Sequence, residues 1–216
     1  MKTLRIIGKS LISMGVGVLL FVAWTLWGTG IYTAREQRRL AQEFSAAPDF
    51  PQSGARADAA GPPAGFNPEP GDPVFRIRIP AIDVRQIVVE GVDTEQLRLG
   101  PGHYPVCSPG FVLCLEGVDD AAWPGEDQRV IVSGHRTTFG APFWDLDKLG
   151  AGDEVDVDTK WGDFTYEVTN VRVVDDASTA VVLPGKKAEI VLTTCNPKFS
   201  AAQRLVVFAE LRDLEA

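Results

Sequence analysis

The sequence predicts an all-β domain, a mainly antiparallel barrel or sandwich with short helices, behind one N-terminal transmembrane helix. Three observations lead there. Ser10–Tyr32 runs 23 residues without a charge, long enough as a helix to cross a bilayer core. Residues 74–216 hold seven short runs rich in β-branched residues, often alternating apolar with polar, which is the period of half-buried strands. The intervals between those runs leave room only for short helices, so the long crossovers of a parallel α/β sheet are excluded.

Residues 1–9 form a short basic terminus and residues 10–32 the apolar span. At 1.5 Å per residue the span reaches ~34 Å. Lys2, Arg5 and Lys9 precede it and Arg35, Arg38 and Arg39 follow, so the basic residues that usually mark the cytoplasmic side are tied. Trp24, Trp27 and Tyr32 stand near its far end, where an interfacial aromatic belt would lie. A cleaved signal peptide is the competing reading. Its apolar core is usually only ~7–15 residues and is followed by an A-x-A site, which is missing here. Residues 33–73 read as a juxtamembrane stretch and linker. From Ala41 to Pro73 there are seven prolines, four glycines and eight alanines without periodicity, so a spacer reaching ~30 to ~100 Å is expected.

The remaining 143 residues can bury their own core. The expected strands are Val74–Ile82, Gln86–Val92, Arg129–His135, Glu154–Thr159, Phe164–Val174, Glu189–Cys195 and Arg204–Leu211, with short helices at Thr94–Leu99 and Phe143–Leu149. The net charge of −8 is an average. Residues 1–39 carry six Lys+Arg against one acid, net +5, leaving 15 against 28, net −13, for residues 40–216. An acidic domain of this kind lacks the basic footprint of a nucleic-acid binder.

The chemistry-bearing residues are few. The domain has two histidines, His103 and His135, and no histidine–cysteine cluster at metal spacing, so neither a metal nor another cofactor is expected. Cys195 closes a strand and is followed by Asn196-Pro197, which places its thiol at a strand end beside a loop. It reads either as a nucleophile or as a small buried hydrophobe, and reactivity requires a neighbour that stabilises the thiolate. His135 also ends a strand. Arg204 opens the strand after Cys195, and an antiparallel hairpin would return it beside the cysteine; alone it would be a solvated charge. Together a thiol, an imidazole and a guanidinium suit acyl transfer, as nucleophile, general acid/base and oxyanion donor.

These motifs resemble those of the sortases, cysteine transpeptidases of Gram-positive cell surfaces. The family's T-L-x-T-C signature appears as Val191-Leu192-Thr193-Thr194-Cys195, with valine in the first place. Its arginine matches Arg204 on the next strand, and its G-H-x-x-x-x-G segment matches Gly134-His135 through Gly140. GPGHYP (Gly100–Pro105) looks like the segment after the first short helix, which makes His103 a packing or hydrogen-bonding residue and His135 the catalytic candidate. SGHRTTFGAPFWDLDKLGAGDEV and LTTCNPKFSAAQRLVVFAEL look most like class E of high-GC actinobacteria. Asn196 replaces the histidine that many class E members carry after the cysteine. The segment Cys107–Gln128 is longer than usual before the histidine strand and could reshape the mouth of the site.

The resemblance implies a sortase-like closed β-barrel of about eight strands over residues 74–216 that cleaves an LPxTG or LAxTG sorting motif between Thr and Gly. Cys195 would carry the thioacyl group, and Arg204, with backbone and the Thr194 hydroxyl, would hold the oxyanion. His135 would protonate the leaving amine. Implied partners are secreted proteins with a C-terminal sorting motif, a lipid II-like amine acceptor and the membrane, with the basic terminus inside and the enzyme outside. Cys107 and Cys114 are either a disulfide stapling the long segment or two inert thiols. Asp119, Asp120, Glu126 and Asp127 read as a solvated acidic loop rather than a calcium site, since no fixed ligand spacing is present. The alternatives are an L,D-transpeptidase, which lacks a matching S-H-G-C here, a pilin-polymerising sortase, for which no lid or C-terminal membrane helix is evident, and an inactive anchored binding domain.

Overall fold

The computed structural model describes residues 2–50, 61–107, 113–115, 122–175, 185 and 187–212, without the side chains of Lys2, Leu26 and Trp27. Eight strands close a barrel: β1 Pro73–Ile79, β2 Val84–Glu90, β3 Gly102–His103, β4 Arg129–Ser133, β5 Glu154–Asp158, β6 Asp163–Asp175, β7 Glu189–Asn196 and β8 Gln203–Leu211. Their order around it is β1-β2-β3-β4-β7-β8-β6-β5. The expected closed barrel is therefore present. Two junctions are parallel, β2 with β3 and β4 with β7, and the other six are antiparallel.

The apolar positions drive this closure. Phe75, Ile77 and Ile79 of β1 meet Val88, Val155, Val157, Leu192 and Val207 in one buried cluster inside the barrel. β1 ends earlier than Ile82 because Pro80 has no N–H for the ladder. Residues Pro80–Ile82 make a 3-10 turn instead, and Asp83 at φ 52° reverses the chain. β3 is only two residues long, too short to leave a periodic signal. The helix expected at Phe143–Leu149 is a run of tight turns with one 3-10 turn, Leu146–Lys148. Its amides reach back three residues, as Trp144 does to Ala141 O and Lys148 to Asp145 O.

The N-terminal region departs from expectation in three ways. The helix runs on from α1 Lys2–Ala23 through a π-helical turn at Trp24–Gly28 into α2 Thr29–Ala46. The stretch long and apolar enough to cross a membrane is Thr3–Ala23, none of it buried. Gly28, near the end of the expected span, is buried, and Thr33, the first residue of the expected linker, is buried with its hydroxyl donating to Arg98 O. Within the expected belt, Trp24 and Tyr32 are exposed.

Among the described residues, parts of the linker expected from residue 33 pack on the barrel. Leu40 and Phe44 of α2 are buried with Ile87 and Val89 of β2. The Gln37 amide completes the outer edge of β2. Its Oε1 accepts from the Ile87 amide at 2.7 Å, and its Nε2 donates to Ile87 O and Leu99 O, both at 2.9 Å. β3 is too short to pair with that part of β2, so the side chain satisfies a strand edge that would otherwise be buried and unpaired. Farther along, Phe66 sits edge-on to Trp123 and Trp161 at 5.1 and 5.4 Å. Composition alone misses these docking residues because they are dispersed among alanine and proline.

His103 has the structural role expected of it. It is buried, with Nδ1 2.7 Å from Glu90 Oε2 and Nε2 donating to Ala122 O at 2.9 Å, and it stacks on Trp123. This network ties the end of the long segment to the barrel. Cys107 and Cys114 are joined in a disulfide in the same segment. Asp119 and Asp120 lie outside the described residues. Glu126 Oε2 accepts from the Trp123 amide, and no group of three metal-ligating side chains occurs among the described residues.

If α2 is a docked element, Leu40→Ala should cost about 2–5 kcal/mol, the usual range for emptying a buried leucine site. Chemical denaturation of the full chain in detergent micelles measures it. A loss below about 0.5 kcal/mol, typical of a surface change, would mean the helix is not held there.

Candidate active site

The parallel pairing of β4 and β7 sets the site. Ser133 lies opposite Thr193 in register, so the two strands run out of the barrel in the same direction, and the next residues in each chain are Gly134-His135 and Thr194-Cys195. Two bonds beyond the ladder keep these exits together. The Gly134 amide donates to Thr193 O at 3.0 Å, and the Thr194 hydroxyl donates to Gly134 O at 2.7 Å.

The antiparallel β7–β8 hairpin supplies the third residue. Cys195 is the direct register partner of Arg204, which puts both side chains on the same face. Arg204 Nη1 lies 3.5 Å from Cys195 Sγ and also donates to Ala201 O and Gln203 O at 3.3 Å. Cys195 is half-buried and is the free cysteine of the chain. The structure thus brings Cys195 and Arg204 into contact at one rim and delivers His135 to that rim on the neighbouring strand.

Thr194 is placed differently from expectation. Side chains alternate along a strand, so the neighbour of Cys195 points to the opposite face. There it is 2% exposed, with its proton committed to Gly134 O. It cannot offer that proton to an oxyanion. Its hydroxyl instead joins the cysteine strand to the histidine segment.

A residue that sequence reasoning passed over does similar work. Arg136, 4% exposed, donates from Nη1 to Cys195 O at 3.3 Å and to Asn196 Oδ1 at 2.7 Å, and its Nη2 pairs with Asp147 at 3.0 Å. Gly134 and Arg136 therefore clasp residues 194–196 from both sides of His135. A buried arginine beside the histidine motif is a signal only in hindsight, because its partners lie at positions 147 and 195–196.

His135 is half-buried, its ring 5.0 Å from that of Phe139. Thr138 Oγ1 stands 3.4 Å from Nδ1. Nε2 is buried without a hydrogen-bond partner among the described residues. Burial, and secondarily the positive charge of Arg98, lowers its pKa below the ordinary 6.5, since both disfavour the imidazolium. Both glycines of the motif have physical reasons. A Cβ on Gly134 would lie 2.6 Å from the Phe143 ring, and Gly140 has φ +74°, a left-handed conformation that glycine adopts without penalty. Phe139 and Ala141 share that region at φ 51° and 45°, at a cost of about 1–3 kcal/mol each.

At the rim, Trp144 and Phe199 meet edge to face at 5.8 Å, with Lys198 Nζ 4.5 Å from the Trp144 ring. Phe199 is 69% exposed. These residues lie on the loops that follow His135 and Cys195.

Comparison with known proteins agrees with this geometry. Residues 77–212 match the sortase domain family. Sortase D of Bacillus subtilis is 32% identical over 158 residues, 71% of this chain and 71% of that one. Sortase SrtE1 of Streptomyces coelicolor is 30% identical over 218 residues, covering 96% of this chain and 56% of the relative, so this chain spans little more than half that protein's length. The crystal structure of Sortase E1 from Streptomyces coelicolor, with a tripeptide in its active site, superposes with a TM-score of 0.55 at 28% identity, over 68% of this chain and 92% of that one. A Clostridium perfringens sortase D5 transpeptidase shares the fold, with a TM-score of 0.64 at 23% identity over 82% and 99% of the two chains. With a family match over most of the barrel and a relative above 30% identity across most of its length, the chain belongs to the sortase family of cysteine transpeptidases, with relatives of the D and E types.

Proposed function

We propose that the chain is a membrane-anchored sortase that cleaves a C-terminal LPxTG- or LAxTG-type signal between Thr and Gly and transfers the protein to an amine of a cell-wall precursor resembling lipid II. The observation that carries the reading is the register match of Cys195 to Arg204, with Nη1 3.5 Å from Sγ, at the rim where β4 delivers His135. A guanidinium there stabilises both a thiolate and the oxyanion that forms next to it.

The reaction balances on these side chains. The Cys195 thiolate attacks the Thr carbonyl carbon and forms the S–C bond as the C=O π pair moves to oxygen, and Arg204 stabilises the resulting oxyanion. As the intermediate collapses, the C–N bond to Gly breaks and His135 gives its proton to the departing amine. The acceptor amine then adds to the thioacyl carbon and loses a proton to the imidazole, and the thiolate departs. Nε2 of His135, buried and without a hydrogen-bond partner among the described residues, is the nitrogen left for both transfers. The lowered pKa of His135 makes the imidazolium a minor form at neutral pH, which limits the active fraction while keeping a strong acid available.

The Thr3–Ala23 helix supports anchoring. With the substrate and acceptor outside the cytoplasm, the basic N-terminus lies inside and the barrel outside.

Three outcomes test the reading. The full chain in detergent should cleave fluorogenic LPxTG or LAxTG peptides and form a thioacyl adduct visible by mass spectrometry. Cys195→Ala should abolish the adduct, and Arg204→Ala should slow turnover by about 10²–10³, as removal of an oxyanion donor does. Failure of the wild type on every peptide, with no adduct, would refute the enzyme assignment for these motifs. For the histidine, an NMR titration of the ring should give a midpoint below 6.5, the imidazolium vanishing as pH rises through it. Arg98→Gln should raise that midpoint yet leave it under 6.5, because burial is the larger cause; an unmoved midpoint would remove Arg98 from the account. Finally, the full chain should stay with membranes through alkaline carbonate extraction, while a chain lacking residues 1–23 should be released by the wash. Release of the full chain would overturn the anchor.

A further inference from the structure

The histidine loop carries three consecutive left-handed residues, Phe139, Gly140 and Ala141, at φ 51°, 74° and 45°. Such a stretch persists only where its surroundings hold it, and it is a common mark of functional segments. Within the loop, the Ala141 amide donates to Thr138 O at 2.9 Å and the Phe143 amide to His135 O at 3.2 Å. The amide of Phe139 has its acceptor elsewhere, 110 residues earlier in the chain. It donates to the Thr29 hydroxyl at 3.1 Å.

Thr29 is built to accept that bond. Its own proton goes to Thr25 O at 3.0 Å, across the π-helical turn of Trp24–Gly28, so an oxygen lone pair faces the loop. π-helical turns recur where a helix serves a functional site. The same face of α2 makes further contacts. A Cβ placed on Gly30 would lie 3.6 Å from the Gly140 backbone, and one on Gly140 would lie 3.6 Å from the Thr33 methyl. The Thr33 hydroxyl donates to Arg98 O at 2.8 Å. The Arg98 guanidinium stands 5.8 Å from the centre of the Phe139 ring, which is itself 5.0 Å from the His135 ring.

We propose that Thr29, at the start of the docked helix, is a positioning residue for the catalytic loop: its hydroxyl holds the Phe139 amide and thereby the ring against which His135 rests. The inference builds on the assignment of His135 as general acid. Its consequence is that the N-terminal helix is part of the catalytic unit as well as a tether. Removal of the acceptor leaves the Phe139 amide unpaired and the left-handed turn without its outer support. The imidazole then spends less time in line with the leaving amine. Binding of the peptide, which needs no proton transfer, is spared.

The test uses the full chain in detergent micelles. Thr29→Val keeps the shape and removes the acceptor, while Thr29→Ser keeps the acceptor. With an LPxTG peptide, Thr29→Val should lower kcat by roughly tenfold, the scale expected when a catalytic group is slightly misplaced, with KM within about twofold. Thr29→Ser should return kcat to within about twofold of the wild type. In parallel, hydrogen–deuterium exchange of the segment containing Phe139 should be faster in Thr29→Val and restored in Thr29→Ser. A Thr29→Val enzyme with kcat within about twofold of wild type overturns the positioning role even if exchange is faster. If the wild type turns over no peptide, the enzyme assignment fails separately and the exchange comparison decides alone: lost protection in Thr29→Val upholds the clamp, and equal protection overturns it.

Discussion

The parallel junction between β4 and β7 is the constraint on which the rest depends. In an antiparallel pair, adjacent strands exit at opposite ends, and a histidine after one strand could not meet a cysteine at the end of the other. Pairing Arg129–Ser133 in parallel with Glu189–Thr193 sends both chains out at one rim. The hairpin that follows β7 then returns Arg204 to Cys195 by register alone. Cys195, Arg204 and His135 reach one rim because the barrel is closed in that order, and no one loop has to carry them all.

A strand register positions backbones well and side chains beyond its end poorly. The structure compensates with polar contacts that are too buried to exchange easily with water. Thr194 gives its proton to Gly134 O, and Arg136 distributes donors over Cys195 O, Asn196 and Asp147. The bonds to Gly134 O, Cys195 O and Asn196 join the histidine segment to the cysteine segment, and the pair with Asp147 anchors Arg136 itself. Such bonds contribute about 0.5–1.5 kcal/mol net when neutral and more when charged, modest for stability. Their larger effect is on geometry, because breaking one leaves a buried group unsatisfied. Asn196 belongs to this clasp through Oδ1, so the asparagine that departs from the class E pattern has a role in holding the rim.

Much of the barrel was legible in the sequence, for physical reasons that also explain the failures. Strands such as Glu189–Asn196 and Gln203–Leu211 lie between loops and carry apolar runs, so periodicity found them to within one or two residues. Cys195, His135 and Arg204 stood out because each ends or begins such a run. β3 escaped because two residues have no period, and the role of Thr194 was misjudged because a motif names a residue without saying which face it occupies. The docking of residues next to the span and within the linker escaped for a related reason. A charge-free stretch measures what lipid tolerates, and Gly28, Thr29 and Gly30 are tolerated equally by a protein surface. Leu40, Phe44 and Phe66 were hidden within compositions typical of spacers, although a few well-placed apolar side chains suffice to dock a segment.

That docking changes how far the site stands from the proposed bilayer. A linker beginning at residue 33 would have let the barrel roam tens of ångströms away. In the structure the exposed apolar helix ends at Ala23, and Thr29 already touches the histidine loop. Five helical residues lie between the two points, six steps with a rise of ~9 Å. An anchored barrel held so closely presents its rim near the headgroups. An amine carried on a membrane-bound precursor would then meet the thioacyl group without a long reach, and the search is confined to two dimensions. A rim bearing Trp144, Phe199 and Lys198 is chemically suited to that zone, since aromatic rings and lysine stems combine apolar bodies with polar ends. A short helical connection of this kind suits the proposed acceptor carried on a membrane-bound precursor.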